Sequence, residues 1–169
     1  MNGALLVDGF RHLVWATLAL IDACLELSPD DLDTNVPGTF GSIIDTMRHL
    51  VDADVSYQWV LSGKRTPRID SDNLSLGELR STMEAVGSEW TRLLAGDLDP
   101  AGIVTRDRDD GSQSRAPLTI RLAQAVHHGT DHRSQICTAL TSLGIEPPEI
   151  DVWAFAANEG RLEEVPAPA

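Results

Sequence analysis

Four long stretches of the sequence repeat apolar residues every three or four positions, the spacing that places them on one face of an α-helix. They run from about Leu5 to Leu27, Ser42 to Leu61, Leu76 to Leu94 and Leu118 to Leu143. A helix with one apolar face must bury that face against another element, and little of the intervening sequence is typical of strands. The pattern predicts an all-α fold, a four-helix bundle, with a short C-terminal helix from about Asp151 to Arg161.

The segments between the helices carry turn and capping signals. Ser75-Leu76-Gly77-Glu78 has the spacing of a capping box, and Gly144 is placed to end the fourth long helix. Ser28-Pro29-Asp30-Asp31 predicts the end of the first helix and a further short turn. Asp109-Asp110-Gly111-Ser112 indicates a turn in a small hairpin or an irregular loop. The polar stretch from Lys64 to Asp72 is predicted to be a loop.

Length and charge limit the domain organisation and the partners. The 169 residues suit one domain, expected over residues 1–162, with a flexible tail at 163–169. A net charge of -13 disfavours binding to nucleic acid and to anionic membranes. The sequence shows no signal peptide and no membrane-spanning run, and its two cysteines are too few for a disulfide framework. We therefore expect a cytoplasmic protein in which Cys24 and Cys137 are small buried residues.

A pair of histidines in the fourth long segment is the strongest chemical feature. His128 and His132 are four residues apart, so both project from one side of the helix, beside its apolar face, whereas His127 points the opposite way. Two imidazoles at this spacing can bind one transition metal. The alternative is a pair of surface histidines bonded to water, and the pair alone does not decide between the two.

Three other residues are ambiguous from spacing alone. His12 and His49 fall off the apolar faces of their helices, which favours solvated histidines in both cases. Asp54 falls in the middle of the apolar stripe of its helix, where an unpaired carboxylate would be costly. It therefore needs a partner.

Three blocks of the sequence form a recognisable set. They are Gly38-Thr39-Phe40-Gly41-Ser42-Ile43 with His49-Leu50-Val51-Asp52-Ala53-Asp54, then His128-Gly129-Thr130-Asp131-His132-Arg133-Ser134-Gln135, then Leu143-Gly144 with Pro147-Pro148 and Asp151-Val152-Trp153. Together they resemble the DinB/YfiT-like superfamily of metal-binding four-helix bundles. The second block is the most specific, and the three occur in the family's order over most of the chain.

The resemblance implies a metal site with His49, His128 and His132 as ligands. Zinc or nickel is the expected metal, with water completing its shell. Asp131 and Ser134 stand where relatives often have His and Gly, but neither is a ligand position, so the site is expected to survive. The resemblance also revises the reading of His49, because a bundle helix that contacts two neighbours buries a broader arc.

Ligating histidines usually donate their second N–H to an outer partner. Gln124 and Gln135 lie on the His128 side of their helix, and Asp54 is the third candidate, although it could instead pair with Arg133. We expect at least one of Asp54, Gln124 and Gln135 to support the site.

The characterised relatives that the resemblance implies include thiol-dependent S-transferases and a maleylpyruvate isomerase, which use mycothiol, bacillithiol or glutathione. One lysine beside 12 arginines suggests a GC-rich genome, which favours mycothiol. The expected partners are a small-molecule substrate and a second copy of the chain in a homodimer. Substrate carboxylates could be received by Arg133, or by Arg106 and Arg108.

Two other functions remain open at this stage. One is a metal-dependent hydrolase, although Gly129 stands where zinc peptidases of the H-E-x-x-H type carry their glutamate base. The other is a non-catalytic bundle, stabilised by metal, that binds a small molecule or a partner protein. An open metal position would favour an enzyme, and a sealed site would favour the structural role.

Overall fold

The computed structural model describes residues 3–63, 69–108, 110–165 and 167. Its elements in chain order are α1 (Gly3–Cys24), α2 (Pro29–Leu32), α3 (Ile43–Leu61), α4 (Leu76–Leu94), β1 (Ile103–Asp107), β2 (Gln113–Pro117), α5 (Leu118–Ser142) and α6 (Val152–Asn158). The predicted helical class is confirmed, and the described residues also contain one small two-stranded sheet.

The four long helices form the bundle. Helix α1 packs against α4 and α5, and α3 packs against the same two helices, so that α1 and α3 occupy opposite corners. The largest fully buried side chains include Trp90, Phe10, Leu20, Met47 and Leu140, which come from all four helices. This shared core holds α3 beside α5, the two helices that carry the histidines of interest.

Local side-chain bonds explain where the helices begin and end. Ser75 and Glu78 form the predicted capping box at the start of α4, and Ser42 caps α3 by accepting a bond from the backbone N–H of Asp45. Gly144 has φ +77°, and its N–H donates to the carbonyl of Thr141 directly after α5. Helix α1 ends at Cys24 rather than at the predicted Leu27.

The segment before α5 forms the antiparallel hairpin β1–β2, one of the two structures predicted for it. Val104 pairs with Ala116 and Arg106 with Ser114, and Gly111 takes φ +81° in the turn. The hairpin rests on α3 and α5. Asp109 of the predicted turn lies outside the described residues, as do residues 64–68 of the predicted loop and residues 166, 168 and 169 of the expected tail.

The short helix α6 covers part of α1, and this corrects the expectation for His12. Its ring is half-buried, its Nε2 lies 2.7 Å from the carbonyl oxygen of Ile150, and its edge packs on Phe155. Burial lowers the pKa of His12, although the Ile150 carbonyl acts in the opposite direction. The single-helix pattern missed this contact because the covering residues lie more than 130 positions away along the chain.

The two cysteines are free thiols. Cys24 is fully buried and Cys137 is partly buried. Burial raises the pKa of Cys24 to about 12, with a smaller contribution from Cys137, so its thiolate is strongly disfavoured. Within the described residues, no helix is long and apolar enough to cross a membrane.

Candidate metal centre

Three histidines from α3 and α5 meet on one side of the bundle. His49 lies in the second turn of α3, and His128 and His132 lie one turn apart on α5. One ring nitrogen from each could bind a metal, and these three atoms lie within 4.8 Å of one another. His132 is buried, whereas His49 and His128 are half-buried, so the cluster reaches from the core to the surface. His127, on the opposite side of α5, is exposed.

The spacing of the imidazoles fits a shared cation. His49 Nε2 and His128 Nε2 are 3.1 Å apart. In a tetrahedral zinc site with Zn–N bonds of about 2.0–2.1 Å, two ligand nitrogens stand about 3.3 Å apart. Imidazole nitrogen is also a good ligand for nickel. The donor set and this spacing therefore fit a divalent transition metal held by the three side chains.

Two of the imidazoles favour the neutral form, which metal binding requires. Burial lowers the pKa of His128 to about 4, and the adjacent His132 and His49 act in the same direction. Burial also lowers the pKa of His49, again with a contribution from His132, while Asp52 acts in the opposite direction. Near neutral pH these two rings therefore offer lone pairs rather than positive charge.

Gln135 orients His132. Its side-chain oxygen lies 3.0 Å from His132 Nδ1 and accepts a bond of 3.0 Å from the backbone N–H of Phe40. Because an amide oxygen only accepts, the His132 proton resides on Nδ1, and the lone pair of Nε2 is left for a ligand. The same oxygen ties the loop that precedes α3 to α5.

Phe40 forms one wall of the centre. Its ring stacks on His49, with centroids 4.0 Å apart and planes at 14°, and it meets His132 edge to face at 5.5 Å. The side chain is nonetheless 55% exposed. It therefore covers the outer face of the His49 ring, while His132 is buried and His128 is half-buried.

Gln124 lies farther along the seam between α3 and α5. Its Nε2 donates to the Tyr57 hydroxyl at 3.4 Å, and the Tyr57 ring meets His128 edge to face at 5.8 Å. Gln124 therefore reaches the histidine cluster through Tyr57, whereas Gln135 contacts a histidine directly.

Asp54 faces α4 in the core. It is 2% exposed, and its Oδ1 accepts a bond of 3.1 Å from Trp90 Nε1. Burial raises the pKa of Asp54 to about 7, against the opposing effects of the Trp90 bond and the positive charge of Arg133. Its partner in the core is thus an indole that the sequence did not suggest.

Arg133 is also buried, which corrects the expectation that it could receive a substrate carboxylate. Its Nη1 donates to Thr17 Oγ1 at 3.3 Å and lies 3.5 Å from the Leu13 carbonyl oxygen. A Cβ added at Gly129 would stand 2.8 Å from the same nitrogen. The glycine that replaces the peptidase glutamate therefore makes room for this arginine.

A cavity of about 380 Å³ opens beside His49. Its described wall carries three carboxylates and one guanidinium, together with the rings of Phe40 and His49. The described lining is Phe40, Gly41, Asp45, Arg48, His49, Asp52, Ser71 and Asp72. A small molecule in this cavity would lie directly against one of the three imidazoles.

Spacing alone did not single out two residues at the centre, Phe40 and Tyr57. Tyr57 lies eight residues after His49, so a helical stripe through His49 and Ala53 would have included it. Phe40 belongs to the first block of the family resemblance, but its stack on His49 depends on the loop conformation and has no signal in spacing.

Comparison with known proteins agrees with this picture of the fold. The family model described as DinB family matches residues 1–164, which is almost the whole chain. No curated protein matches the sequence.

Proposed function

The chain belongs to the DinB family, and on that basis we propose that it is a metal-dependent enzyme that joins a low-molecular-weight thiol to an electrophilic small molecule. Mycothiol is the expected thiol. The observation that supports the proposal is the convergence of His49, His128 and His132, with an open cavity directly against the His49 ring. Three imidazoles with an accessible position are typical of catalytic rather than structural metal sites.

The three imidazoles would hold zinc or nickel. A cation at this position would lower the pKa of a neighbouring thiol, so that the reactive thiolate forms near neutral pH. Gln135 keeps the Nε2 lone pair of His132 directed to the cluster. Phe40 shields the face of His49 from water.

The acidic lining of the cavity favours the binding of a thiol that has no net negative charge. Among the described residues, Asp45, Asp52 and Asp72 line it, with one guanidinium from Arg48. The Arg48 guanidinium is within 3.8 Å of Asp45 and donates to the Leu74 carbonyl, which partly uses its hydrogen bonds. A thiol with net negative charge, such as glutathione, would be repelled by these carboxylates, whereas the hydroxyl groups of a sugar-containing thiol could donate to them.

The proposed reaction forms one bond between the thiol sulfur and an electrophilic carbon. If the electrophile carries a halide, the carbon–halogen bond breaks, the halide leaves with the bonding electrons, and the thiol proton passes to solvent. Gly129 and the buried Arg133 leave the position of the H-E-x-x-H base without a carboxylate, which favours thiol transfer over peptide hydrolysis.

The test incubates zinc- or nickel-loaded protein with mycothiol, bacillithiol or glutathione and an aryl halide, and follows conjugate formation. The matched controls are metal-free protein, His132→Ala and His127→Ala. We expect mycothiol to react fastest, only with metal, and equally well with the His127→Ala protein. If no thiol reacts faster with the wild-type protein than with His132→Ala, the transferase proposal fails and a non-catalytic metal-stabilised bundle becomes the better account.

A further inference from the structure

A small pocket lies along the α3–α5 seam on the side of the histidines away from Phe40. Tyr57 connects the two places, because its ring packs on His128 and its hydroxyl accepts from Gln124. The pocket is lined by Tyr57, by Arg121 from α5 and by Arg106 from β1, with Ser56, Val60 and Leu61 completing the wall. It is thus separate from the acidic cavity and on the other side of the cluster.

Arg121 has a donor that is not used. Its Nη2 donates to the carbonyl and to the hydroxyl of Ser114, at 2.9 and 3.0 Å, which fixes the guanidinium against the hairpin. Its Nε is buried and is the one buried side-chain nitrogen or oxygen without a hydrogen-bond partner among the described residues. A buried, charged N–H that lacks an acceptor is unfavourable, so an oxygen atom of a water or of a ligand at this position would stabilise the arrangement.

A second positive charge lies at the same pocket. Arg106 pairs with Ser114 across the hairpin, which brings its side chain to the side of the sheet that Arg121 contacts. Among the described residues no carboxylate forms an ion pair with Arg106 or Arg121. The same is true of Arg108, Arg115 and Arg133, whereas the other described arginines have such partners. Two neighbouring arginines without carboxylate partners are notable in a protein of net charge -13.

We propose that Arg106, Arg121 and Tyr57 form an anion subsite that holds a carboxylate of the electrophilic substrate while its reactive carbon lies at the histidine cluster. That the bound anion is a substrate rests on the proposed function, but anion binding at the subsite can be tested without catalysis. It divides the ligands by charge: the neutral thiol occupies the acidic cavity beside His49, and the anionic electrophile occupies the arginine side beside His128.

The dimensions favour a carboxylate over a phosphate. The accessible volume of the pocket is about 10 Å³, which is close to that of one water and therefore suits a single carboxylate oxygen. The planar guanidinium and the Tyr57 hydroxyl are both suitable donors for such a group. Arg121 precedes His128 by seven residues, so the carboxylate and the reactive carbon would be separated by about 10 Å along α5.

The direct test follows the Arg121 Nε–H resonance by NMR in uniformly ¹⁵N-labelled, metal-free protein during a titration with butanoate. We expect a saturable shift, no comparable shift with butanol, and no comparable shift with chloride at the same ionic strength. Arg106→Gln should weaken butanoate binding about tenfold, because one charge-assisted hydrogen bond is lost. Arg115→Gln is the matched control, since Arg115 lies next to Ser114 on β2 and points to the opposite face of the hairpin.

The subsite would be overturned if the Arg121 Nε–H resonance shifted equally with butanoate and butanol. It would also be overturned if Arg106→Gln and Arg115→Gln weakened butanoate binding equally. A structural water would then be the partner of Arg121. A second measurement distinguishes failure of the subsite from failure of the proposed transferase function. It compares two aryl halides that differ only in a carboxylate, in the conjugation assay, with wild-type and Arg121→Gln protein. Activity without a preference for the carboxylate contradicts the subsite alone. A butanoate response without conjugation contradicts only the transferase.

Discussion

His49 Nε2 and His128 Nε2 lie 3.1 Å apart across the seam between α3 and α5, although 79 residues separate them along the chain. Burial and the neighbouring histidines lower the pKa of both rings, so both favour the neutral form near neutral pH. Two neutral imidazole nitrogens at this distance can bind one shared cation, which gives the arrangement a physical reason. The first prediction tests this relationship.

Purified protein is expected to bind about one divalent metal ion per chain. His49→Ala and His128→Ala should each abolish binding, because two imidazoles alone leave the site incomplete. His127→Ala should keep the metal, since this ring is exposed on the other side of α5. Elemental analysis after dialysis measures the metal content. Loss of metal in His127→Ala with retention in His128→Ala would contradict the assignment.

Gln135→Leu is expected to lower metal affinity about 10–100-fold, because His132 Nδ1 and the Phe40 N–H lose their shared acceptor. Gln124→Leu is the matched control, since Gln124 reaches Tyr57 rather than a histidine. Competition with a chromophoric chelator measures both affinities. Equal affinities in the two variants would show that the Gln135 bond does not support the site.

Asp54 should make the protein less stable as the pH rises from about 4 to about 7. Burial raises its folded pKa to about 7, above the ordinary value of about 3.9, so in this window the folded protein holds a proton that the unfolded chain has released. Raising the pH then lowers the free energy of unfolding. Asp54→Asn is the control, because its side-chain oxygen can still accept the hydrogen bond from Trp90 Nε1 and the amide does not ionise.

Urea unfolding at a series of pH values compares the two proteins. From about pH 5 to pH 7 the wild type should lose on the order of 2 kcal/mol relative to Asp54→Asn, since one pKa unit corresponds to about 1.4 kcal/mol. Parallel pH profiles would mean that Asp54 ionises in the folded state as it does in the unfolded chain.

Much of the fold follows from local features that the sequence shows directly. Helix α4 begins at Leu76 and ends at Leu94, as predicted, because the Ser75–Glu78 capping box and the apolar face act within the segment itself. The half-burial of His12 could not be predicted in this way. It depends on α6 docking on α1, a contact between distant parts of the chain.

The same distinction applies to the candidate site. The shared direction of His128 and His132 follows from helix geometry, whereas His49 looked exposed because a wheel assumes one buried face and α3 contacts both α4 and α5. Only the family resemblance indicated that His49 is a metal ligand. The Trp90 bond to Asp54 and the burial of Arg133 depend on side-chain packing in the core, which periodicity does not encode.

X-ray absorption spectroscopy of metal-loaded protein, with and without mycothiol, tests the central claim most directly. For zinc, the account predicts three imidazole nitrogens at about 2.0–2.1 Å, and a new sulfur at about 2.3 Å when the thiol is added. His127→Ala should give the same two spectra. Fewer than three imidazole ligands, or an unchanged spectrum in saturating thiol, would contradict the account.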